Sequence, residues 1–243
     1  MREVGRGGLL VASMAATVML CGVGVRAEDL PARPSLKASA LYLVELKSRR
    51  VLLEKDATRR LPQASLTKVM TALVAMEAAS PEQVVRVDRR ALVHRSSLKL
   101  HAGEQFLLRD LLTAMLVTSA NDACEAVAWH VGGDGDRFVT MMNERARTLG
   151  LGNTHFANAC GFDAPDHYST AADLAKLTEQ ALQVPAISMM VRTVTRDIAS
   201  VDGARQVPLH STNQLLLDPD VTGVKTDLEY PQAEKKSDPG AES

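Results

Sequence analysis

The hydrophobic and polar positions of this chain form two patterns, and each pattern predicts its own kind of element. Short apolar runs over 38–46 and 50–55 predict two short strands, which a polar turn at 47–49 would join. Apolar residues at a helical spacing predict six helices farther along the chain. These helices are expected at 65–78, 107–117, 121–131, 136–149, 171–182 and directly after Pro185. A last short extended piece is expected at 223–226.

Residues at the helix ends support this division. Gly132 and Gly133 follow the third helix and Gly150 the fourth, while Ser169 and Thr170 precede the fifth as capping candidates. Strands at the start, helices in the middle and a strand at the end predict an α/β chain of the α+β type. We expect both chain ends to form one antiparallel sheet packed on a helical cluster.

The composition of the 243 residues narrows the class of protein. Apolar residues make up 46% and charged residues 23%, values typical of a globular chain with a sizeable core. With 28 basic and 29 acidic residues the net charge is −1, which argues against the concentrated positive charge of a nucleic-acid binder. Aromatic residues are only 3%, too few for a platform on which bases could stack. No nucleic-acid partner is therefore expected.

Residues 1–27 have the pattern of an export signal. Arg2 and Arg6 precede an uncharged stretch over 7–25, and the small residues Val25 and Ala27 fit positions −3 and −1 of a cleavage site. A retained membrane anchor is the alternative, because the stretch approaches the roughly 20 residues that a spanning helix needs. We favour cleavage after Ala27, which places the mature chain outside the cytoplasmic membrane, in the periplasm or cell envelope.

Cleavage would leave two cysteines, Cys124 and Cys160, in the mature chain. Cys124 lies in an apolar stretch, where an unpaired buried thiol is the favoured interpretation. A disulfide between the two stays open, since an exported protein meets an oxidising compartment but the sequence fixes no geometry. The six histidines have no metal-ligand spacing, so neither a metal nor another cofactor is expected.

Candidate chemistry begins with Ser65 and Lys68. Three residues apart at the start of a predicted helix, the hydroxyl and the amine share one face and can approach each other. A serine needs an adjacent base to become a nucleophile, and a lysine can serve where burial or a second cation lowers its pKa. About one such spacing is expected by chance in a chain of this length, so an N-cap serine beside a solvated lysine is the better interpretation of this pair alone.

Two further elements follow along the chain. Ser119 and Asn121 fall between the second and third predicted helices, where a turn can direct both side chains into a cleft. Lys225 and Thr226 lie in the last extended piece. Each pair has a plain structural alternative, an N-cap for the first and a charged edge strand for the second. The joint occurrence of all three elements in this order is far less ordinary than any one of them.

The three elements resemble the Ser-x-x-Lys, Ser-x-Asn and Lys-Thr-Gly set of the serine-type D-Ala-D-Ala carboxypeptidases, the low-molecular-mass penicillin-binding proteins of peptidase family S11. The similarity extends over about 37–226. The segments that share it are 62–72, 103–116, 119–123, 153–156, 167–171 and 211–213. The resemblance implies a domain at 28–226 with a DD-peptidase or β-lactamase-like fold, and it implies no metal or cofactor.

The resemblance also implies a role for each catalytic position. Ser65 would attack the carbonyl of the penultimate D-Ala of a peptidoglycan stem peptide and form an acyl-enzyme, with Lys68 accepting its proton. Ser119 would relay a proton to the departing D-Ala, and water would then release the shortened peptide. β-Lactam antibiotics would acylate Ser65 as covalent inhibitors, because they imitate the dipeptide.

A substrate-binding set is implied in the same way. Asn121 would hydrogen-bond the substrate amide or Lys68, and Lys225, with Thr226 beside it, would hold the substrate carboxylate. As a nearby cation, Lys225 would also help to keep Lys68 neutral. The oxyanion hole of the family uses the N–H of the nucleophile and one from the strand after the Lys-Thr pair, here near Leu228.

The chain departs from the family at its third motif and beyond. Asp227 stands where the family has Gly. The aspartate side chain adds bulk and a negative charge near Lys225, the residue expected to bind the substrate carboxylate. Residues 227–243 hold five acidic and two basic residues, two prolines and almost nothing apolar, which predicts a polar, disordered tail. The family's two last strands, its C-terminal membrane-associating helix and its second β-rich domain have no counterpart, so we expect a truncated or degenerate paralogue.

Three functional interpretations follow. The first is an exported D-Ala-D-Ala carboxypeptidase, and the second is a catalytically impaired penicillin- or peptidoglycan-binding paralogue in which Ser65 acylates but turnover fails. The third, a β-lactamase, is disfavoured because class A enzymes need a deacylating Glu, and no Glu-x-x-Leu-Asn segment occurs in the sequence. Membrane association stays open, without a C-terminal anchor to support it.

Overall fold

Six helices form where the apolar spacing predicts them, in a computed structural model that describes residues 37–226. They are α1 (Lys68–Ala78), α2 (Leu108–Val117), α3 (Asn121–Gly132), α4 (Gly135–Thr148), α5 (Ala171–Leu182) and α6 (Pro185–Val191). Short 3₁₀ turns occur at Ala64–Thr67, Arg89–Ala91 and Gln214–Leu217. No helix within 37–226 combines the length and the apolar composition of a membrane span. The predicted signal at 1–27 and the predicted tail at 227–243 lie outside the described residues.

The ends of these helices have local chemical causes. The Thr170 side chain accepts a hydrogen bond from the Asp173 backbone N–H and so caps α5. The Asp134 side chain caps α4 in the same way. Gly133 ends α3 in a left-handed conformation with φ 79°, which a residue without Cβ adopts at no steric cost. The predicted bounds of α5 are confirmed, and those of α3 are confirmed to within one residue.

The core lies where α1, α2 and α3 meet. Most residues of these three helices are buried, among them Met70 in α1, Leu112 in α2 and Ala128 in α3. Helix α4 packs against α3, α5 against α1 and α6 against α2. Burial of this apolar surface stabilises the helices more than their intrinsic propensity does. The start of α1 and the link from α2 to α3 are thereby held in fixed positions.

The strands form three antiparallel pairs. They are β1 (Leu41–Val44), β2 (Val51–Lys55), β3 (Val84–Arg86), β4 (Gln105–Leu107), β5 (Thr195–Ala199) and β6 (Gln206–His210). Strand β1 pairs with β2 as the sequence predicts, with Leu43 opposite Leu53 and a register shift before Val44. Strand β3 pairs with β4 and β5 with β6, two pairings that the sequence pattern does not predict.

The prediction of one sheet built from both chain ends is wrong for the described residues. Residues 221–226 form no strand, so the extended piece expected at 223–226 pairs with none of the six strands. Gly223 instead lies against the end of α6, where an added Cβ would be 2.5 Å from the Val191 carbonyl oxygen, and its φ is 85°. This positive φ departs from the regular extended conformation of a strand, in agreement with the absence of a strand at 221–226. The predicted class, helices combined with antiparallel strands, is confirmed.

Candidate active site

Ser65 and Lys68 lie at the junction between the first 3₁₀ turn and α1. Ser65 belongs to the turn Ala64–Thr67, and Lys68 is the first residue of the α-helix. The Lys68 Nζ donates a hydrogen bond to Ser65 Oγ at 3.1 Å. The Lys68 side chain is fully buried, so its amine is shielded from bulk water. The hydroxyl and the amine therefore approach each other as their spacing predicts.

Ser119 reaches the same point from the link between α2 and α3. Its Oγ donates a hydrogen bond to Ser65 Oγ at 3.1 Å. The backbone of Ser119 is left-handed, with φ 62°, a conformation that residues with a Cβ seldom adopt. The side chains of Lys68 and Ser119, which are far apart in the sequence, thus converge on the Ser65 hydroxyl oxygen.

A loop over 157–162 supplies a second acceptor for Lys68. The Cys160 carbonyl accepts a hydrogen bond from Lys68 Nζ at 2.6 Å, and the Ala159 carbonyl accepts one from Thr71 Oγ1 at 2.5 Å. Asn158 Oδ1 accepts hydrogen bonds from the three backbone N–H groups of 160–162, which fixes the shape of the loop. Motif reasoning misses this loop, because a backbone carbonyl has no sequence signature.

Cys124 and Cys160 form a disulfide, with their Cα atoms 5.9 Å apart. The interpretation of Cys124 as an unpaired buried thiol is therefore wrong, although both residues are buried. The bond joins α3 to the loop that carries the Cys160 carbonyl. The sequence leaves this pairing open because a separation of 36 residues says nothing about the distance between two side chains.

The first residues of α3 hold another loop beside the site. Asn121 Nδ2 donates to the Arg95 carbonyl at 2.9 Å, and the Asn121 N–H donates to the Ser96 carbonyl at 2.6 Å. The buried Asp122 carboxylate accepts three hydrogen bonds from residues of 97–100, at 2.6–3.1 Å. This loop is thus fixed to the start of α3. The role predicted for Asn121 toward the substrate stays a prediction, and its Oδ1 is the atom that would perform it.

Lys225 and Thr226 lie at the end of the described chain. Lys225 lines a cavity of about 290 Å³ together with Leu66, the neighbour of the nucleophile in the sequence. Its amine donates a hydrogen bond to the Thr226 carbonyl. Thr226 Oγ1 is 3.2 Å from Thr212 Oγ1, and the Thr212 N–H donates to the last carbonyl of α2 at 3.0 Å. Both residues therefore lie next to elements that carry the site, and their substrate-binding roles stay predictions.

A buried histidine supports the nucleophile turn. His167 Nε2 is 2.7 Å from Thr67 Oγ1, and His167 Nδ1 accepts a hydrogen bond from the Ala157 N–H at 3.0 Å. Because Nδ1 is an acceptor, the neutral ring carries its proton on Nε2. Burial, with a smaller contribution from His155, lowers the pKa of His167 to about 4. His167 is therefore a neutral structural group at pH 7, and the sequence pattern does not predict this contact.

A carboxyl group on α3, Glu125, interacts electrostatically with the buried lysine. Burial raises the pKa of Glu125, and the positive charge of Lys68 opposes that effect. Within 37–226, no three His, Cys, Asp or Glu side chains gather in an arrangement that could hold a metal ion. A serine hydroxyl with a buried amine within hydrogen-bond distance is an arrangement that can support acyl transfer to serine.

The sequence was compared with models of known protein families. The sequence profile of peptidase family S11, D-alanyl-D-alanine carboxypeptidase, matches residues 27–229. The chain belongs to this family. The S11 match spans all three motifs, from Ser65 to Thr226, and so includes every residue of the predicted site.

Relatives and solved structures agree with this assignment. The D-alanyl-D-alanine carboxypeptidase DacF of Bacillus subtilis (strain 168) is 34% identical over 197 residues, which cover 78% of this chain and 50% of that protein. The crystal structure of penicillin binding protein 6B from Escherichia coli has a TM-score of 0.71 at 30% identity, covering 81% of this chain and 65% of that one. A variant of the Streptomyces K15 DD-transpeptidase has a TM-score of 0.73 at 28% identity, covering 80% and 82%. The S11 chain spans about half the length of the curated relatives it matches.

Proposed function

We propose that this S11 chain is a serine-type D-alanyl-D-alanine carboxypeptidase, which removes the terminal D-Ala from peptidoglycan stem peptides through an acyl-enzyme on Ser65. The observation that carries the proposal is the convergence of Lys68 Nζ and Ser119 Oγ on Ser65 Oγ, each at 3.1 Å. A nucleophilic serine needs a base within hydrogen-bond reach, and a second hydroxyl can pass the proton onward.

Acylation uses these three groups in turn. Ser65 Oγ attacks the carbonyl carbon of the penultimate D-Ala, and its proton moves to Lys68, which acts in its unprotonated form. The peptide C–N bond breaks as Ser119 passes a proton to the nitrogen of the leaving D-Ala. Ser119 regains a proton from the Lys68 ammonium, and the position of both groups, each 3.1 Å from Ser65 Oγ, supports this order of transfer.

The remaining predicted residues bind the substrate. Lys225, with Thr226 beside it, binds the terminal carboxylate of the substrate. Asn121 binds the substrate amide through Oδ1, since its Nδ2 already donates to the Arg95 carbonyl. Water then attacks the acyl-enzyme and releases the shortened peptide. β-Lactams acylate Ser65 because they imitate the terminal dipeptide, and the similarity to penicillin binding protein 6B supports this partner.

The site of action in this proposal is the space outside the cytoplasmic membrane. The pattern of 1–27 predicts an export signal that is cut after Ala27. The Cys124–Cys160 disulfide supports export, because disulfides persist in oxidising compartments and are rare in the cytosol. Peptidoglycan, the proposed substrate, lies in the same space.

A labelled penicillin tests the nucleophile directly. The full chain is incubated with the penicillin, and peptide mass spectrometry locates the adduct. We expect an adduct on Ser65 that is lost in Ser65→Ala and retained in Ser80→Ala, which removes an exposed hydroxyl just beyond the C-terminal end of α1. An adduct on another residue, or none, would contradict the proposal.

Release of D-Ala from a pentapeptide separates turnover from binding. Acylation with release supports the carboxypeptidase, whereas acylation without release supports the impaired paralogue, and rapid hydrolysis of the penicillin supports a β-lactamase. If release is slow, Asp227→Gly removes a negative charge two residues after Lys225 in the sequence and is expected to raise the rate. The exposed Asp220→Gly serves as the matched control and is expected to leave the rate unchanged.

A further inference from the structure

We propose that the Cys124–Cys160 disulfide positions the proton-accepting lysine, because it holds the carbonyl group to which the Lys68 amine is bound. The two cysteines are positioning residues that act through Lys68. This inference rests on the function proposed above for Lys68, and it assigns to the disulfide an effect on acylation beyond its effect on stability.

Two of the contacts of Lys68 Nζ bear on the orientation of its amine. Ser65 Oγ lies at 3.1 Å from the nitrogen and the Cys160 carbonyl oxygen at 2.6 Å. An uncharged amine has two hydrogens and one lone pair, so it can keep one N–H on the Cys160 carbonyl while it turns its lone pair toward Ser65 Oγ to accept the proton. The same carbonyl stabilises the ammonium ion that forms when the proton arrives. The orientation of the amine therefore depends on where the Cys160 carbonyl lies.

Hydrogen bonds and the disulfide together fix the position of the Cys160 carbonyl. Asn158 fixes the internal shape of the loop, and Thr71 fixes the neighbouring Ala159 carbonyl to α1. The disulfide adds a covalent link from Cys160 itself to α3, the helix that starts two residues after Ser119. Carbonyl and sulfur belong to the same residue, so a change at the sulfur reaches the carbonyl directly. The disulfide thus couples the acceptor of Lys68 to the element that positions the second hydroxyl.

Reduction of the Cys124–Cys160 disulfide is expected to displace the loop that carries the Cys160 carbonyl. A dithiol reductant supplies two electrons and two protons, the S–S bond breaks, two thiols form, and the reductant closes its own disulfide. Two thiols need more space than two bonded sulfur atoms, and Cys124 and Cys160 are both buried. The loop must shift to provide that space, and displacements of about 1 Å at catalytic groups can cost about a hundredfold in rate.

The experiment compares three states of the full chain with Cys21→Ser as background, so that Cys124 and Cys160 are the only cysteines. The states are the oxidised protein, the same protein after dithiol reduction, and the variant Cys124→Ala/Cys160→Ala. The rate of acylation by a fluorescent penicillin is measured against pH in each, and the ¹⁵N signal of Lys68 Nζ is titrated by NMR, with Lys68→Arg for assignment. We expect the acylation rate to fall by about tenfold or more in the reduced protein and in the alanine variant. The pH profile of acylation and the Nζ titration should shift in both. Reoxidation of the reduced protein should restore the rate, the pH profile and the titration.

Two controls separate this effect from a loss of stability. Circular dichroism at the assay temperature shows whether each state is folded, and Phe138→Leu lowers the stability of the buried core at a position in α4, outside the segment 157–162. Phe138→Leu is expected to keep the acylation pH profile and the Nζ titration of the parent. If the alanine variant does not fold, Cys124→Ser/Cys160→Ser and the reversibly reduced protein carry the comparison.

The outcomes distinguish the inference from the proposed function. Absence of any adduct in the oxidised protein contradicts the function, while the Nζ titration still tests the positioning. The inference would be overturned if the reduced and variant proteins are folded, acylate within about twofold of the oxidised rate and keep the Nζ titration unchanged. The disulfide would then be only a structural crosslink.

Discussion

Two residues beside the site adopt left-handed backbone conformations although neither is glycine. Ala64 has φ 44° and directly precedes Ser65, and Ser119 has φ 62° and carries the second hydroxyl. Such conformations cost on the order of 1–3 kcal/mol each and persist only where the surrounding structure enforces them. The Ser-x-x-Lys spacing predicts the contact between Ser65 and Lys68, but Ala and Ser have no preference for left-handed backbone. The sequence therefore predicts which side chains form the site better than the backbone that directs them.

Gly161 enforces one of these conformations through close packing. An added Cβ would lie 2.0 Å from the Ala64 carbonyl oxygen and 2.9 Å from the Ser65 nitrogen, at φ 91°. We expect Gly161→Ala to lower the free energy of unfolding by about 3 kcal/mol and to reduce penicillin acylation, because the nucleophile turn must move. Urea denaturation and adduct formation measure the two effects.

Gly203→Ala is the matched control for this change. Gly203 also has a positive φ, 70°, but a Cβ there would meet no atom within 4 Å. Its substitution should cost about 1 kcal/mol from backbone strain alone and should leave acylation unchanged. Equal losses for the two variants would show that close packing at Gly161 does not matter.

His167 predicts a dependence of stability on pH. Burial lowers its pKa to about 4, so the folded protein keeps His167 neutral where the unfolded chain binds a proton, below about pH 6.5. The free energy of unfolding should therefore be unaffected by this group above about pH 6.5 and should fall by up to about 3 kcal/mol as the pH drops to about 4. Urea denaturation from pH 7.5 to 4 measures this slope. His167→Gln should flatten the pH dependence of the free energy of unfolding, whereas the exposed His210→Gln should not. If the slope persists in His167→Gln, other titrating groups cause it.

At the scale of elements, the sequence predicts helices better than strands, for a physical reason. A helix such as α5 repeats its apolar pattern over several turns and carries its own cap at Thr170. Strands β3 and β4 have three residues each, too few for an alternation to be visible. Strand β6 contains Pro208, which lowers strand propensity in any sequence-based assignment. Partner strands stabilise these segments, and pairing is not encoded locally.

The junction between α3 and the loop over 95–100 provides a prediction at this scale. Each oxygen of the buried Asp122 carboxylate accepts two hydrogen bonds, so an amide at this position would direct N–H groups at other donors. We expect Asp122→Asn to cost about 2 kcal/mol of stability and to slow acylation, because the loop that binds Asn121 is released. Thermal unfolding and the adduct assay measure both effects.

Asp136→Asn is the control, because Asp136 holds the same second position in α4 and is exposed. It experiences a comparable helix dipole but anchors no loop of the site, so its substitution should cost less than about 1 kcal/mol and leave acylation intact. If both variants lose the same stability, the dipole rather than the loop explains the effect of Asp122→Asn.

For the whole molecule, the order of the motifs predicts the family, but contacts between distant parts of the chain complete the site. Ser65 and Ser119 belong to segments whose convergence requires α1, α2 and α3 to pack as they do. The Cys160 carbonyl contacts Lys68 from the loop over 157–162, and the buried His167 contacts Thr67 from a separate segment, and neither contact follows from the three catalytic motifs. These contributions come from backbone groups and tertiary packing, which a local pattern does not record.

The disulfide leads to a prediction about the unfolded chain. It closes a segment of 36 residues, and loop-closure entropy assigns to such a crosslink about 4 kcal/mol of stability. Reduction should therefore lower the free energy of unfolding by about that amount. It should also raise the dependence of unfolding on urea, because the reduced unfolded chain exposes more surface. Reductant should change neither quantity in Cys124→Ser/Cys160→Ser. A loss below about 1 kcal/mol in the native protein would mean that the packing of α3 against the loop, rather than the covalent bond, holds these segments together.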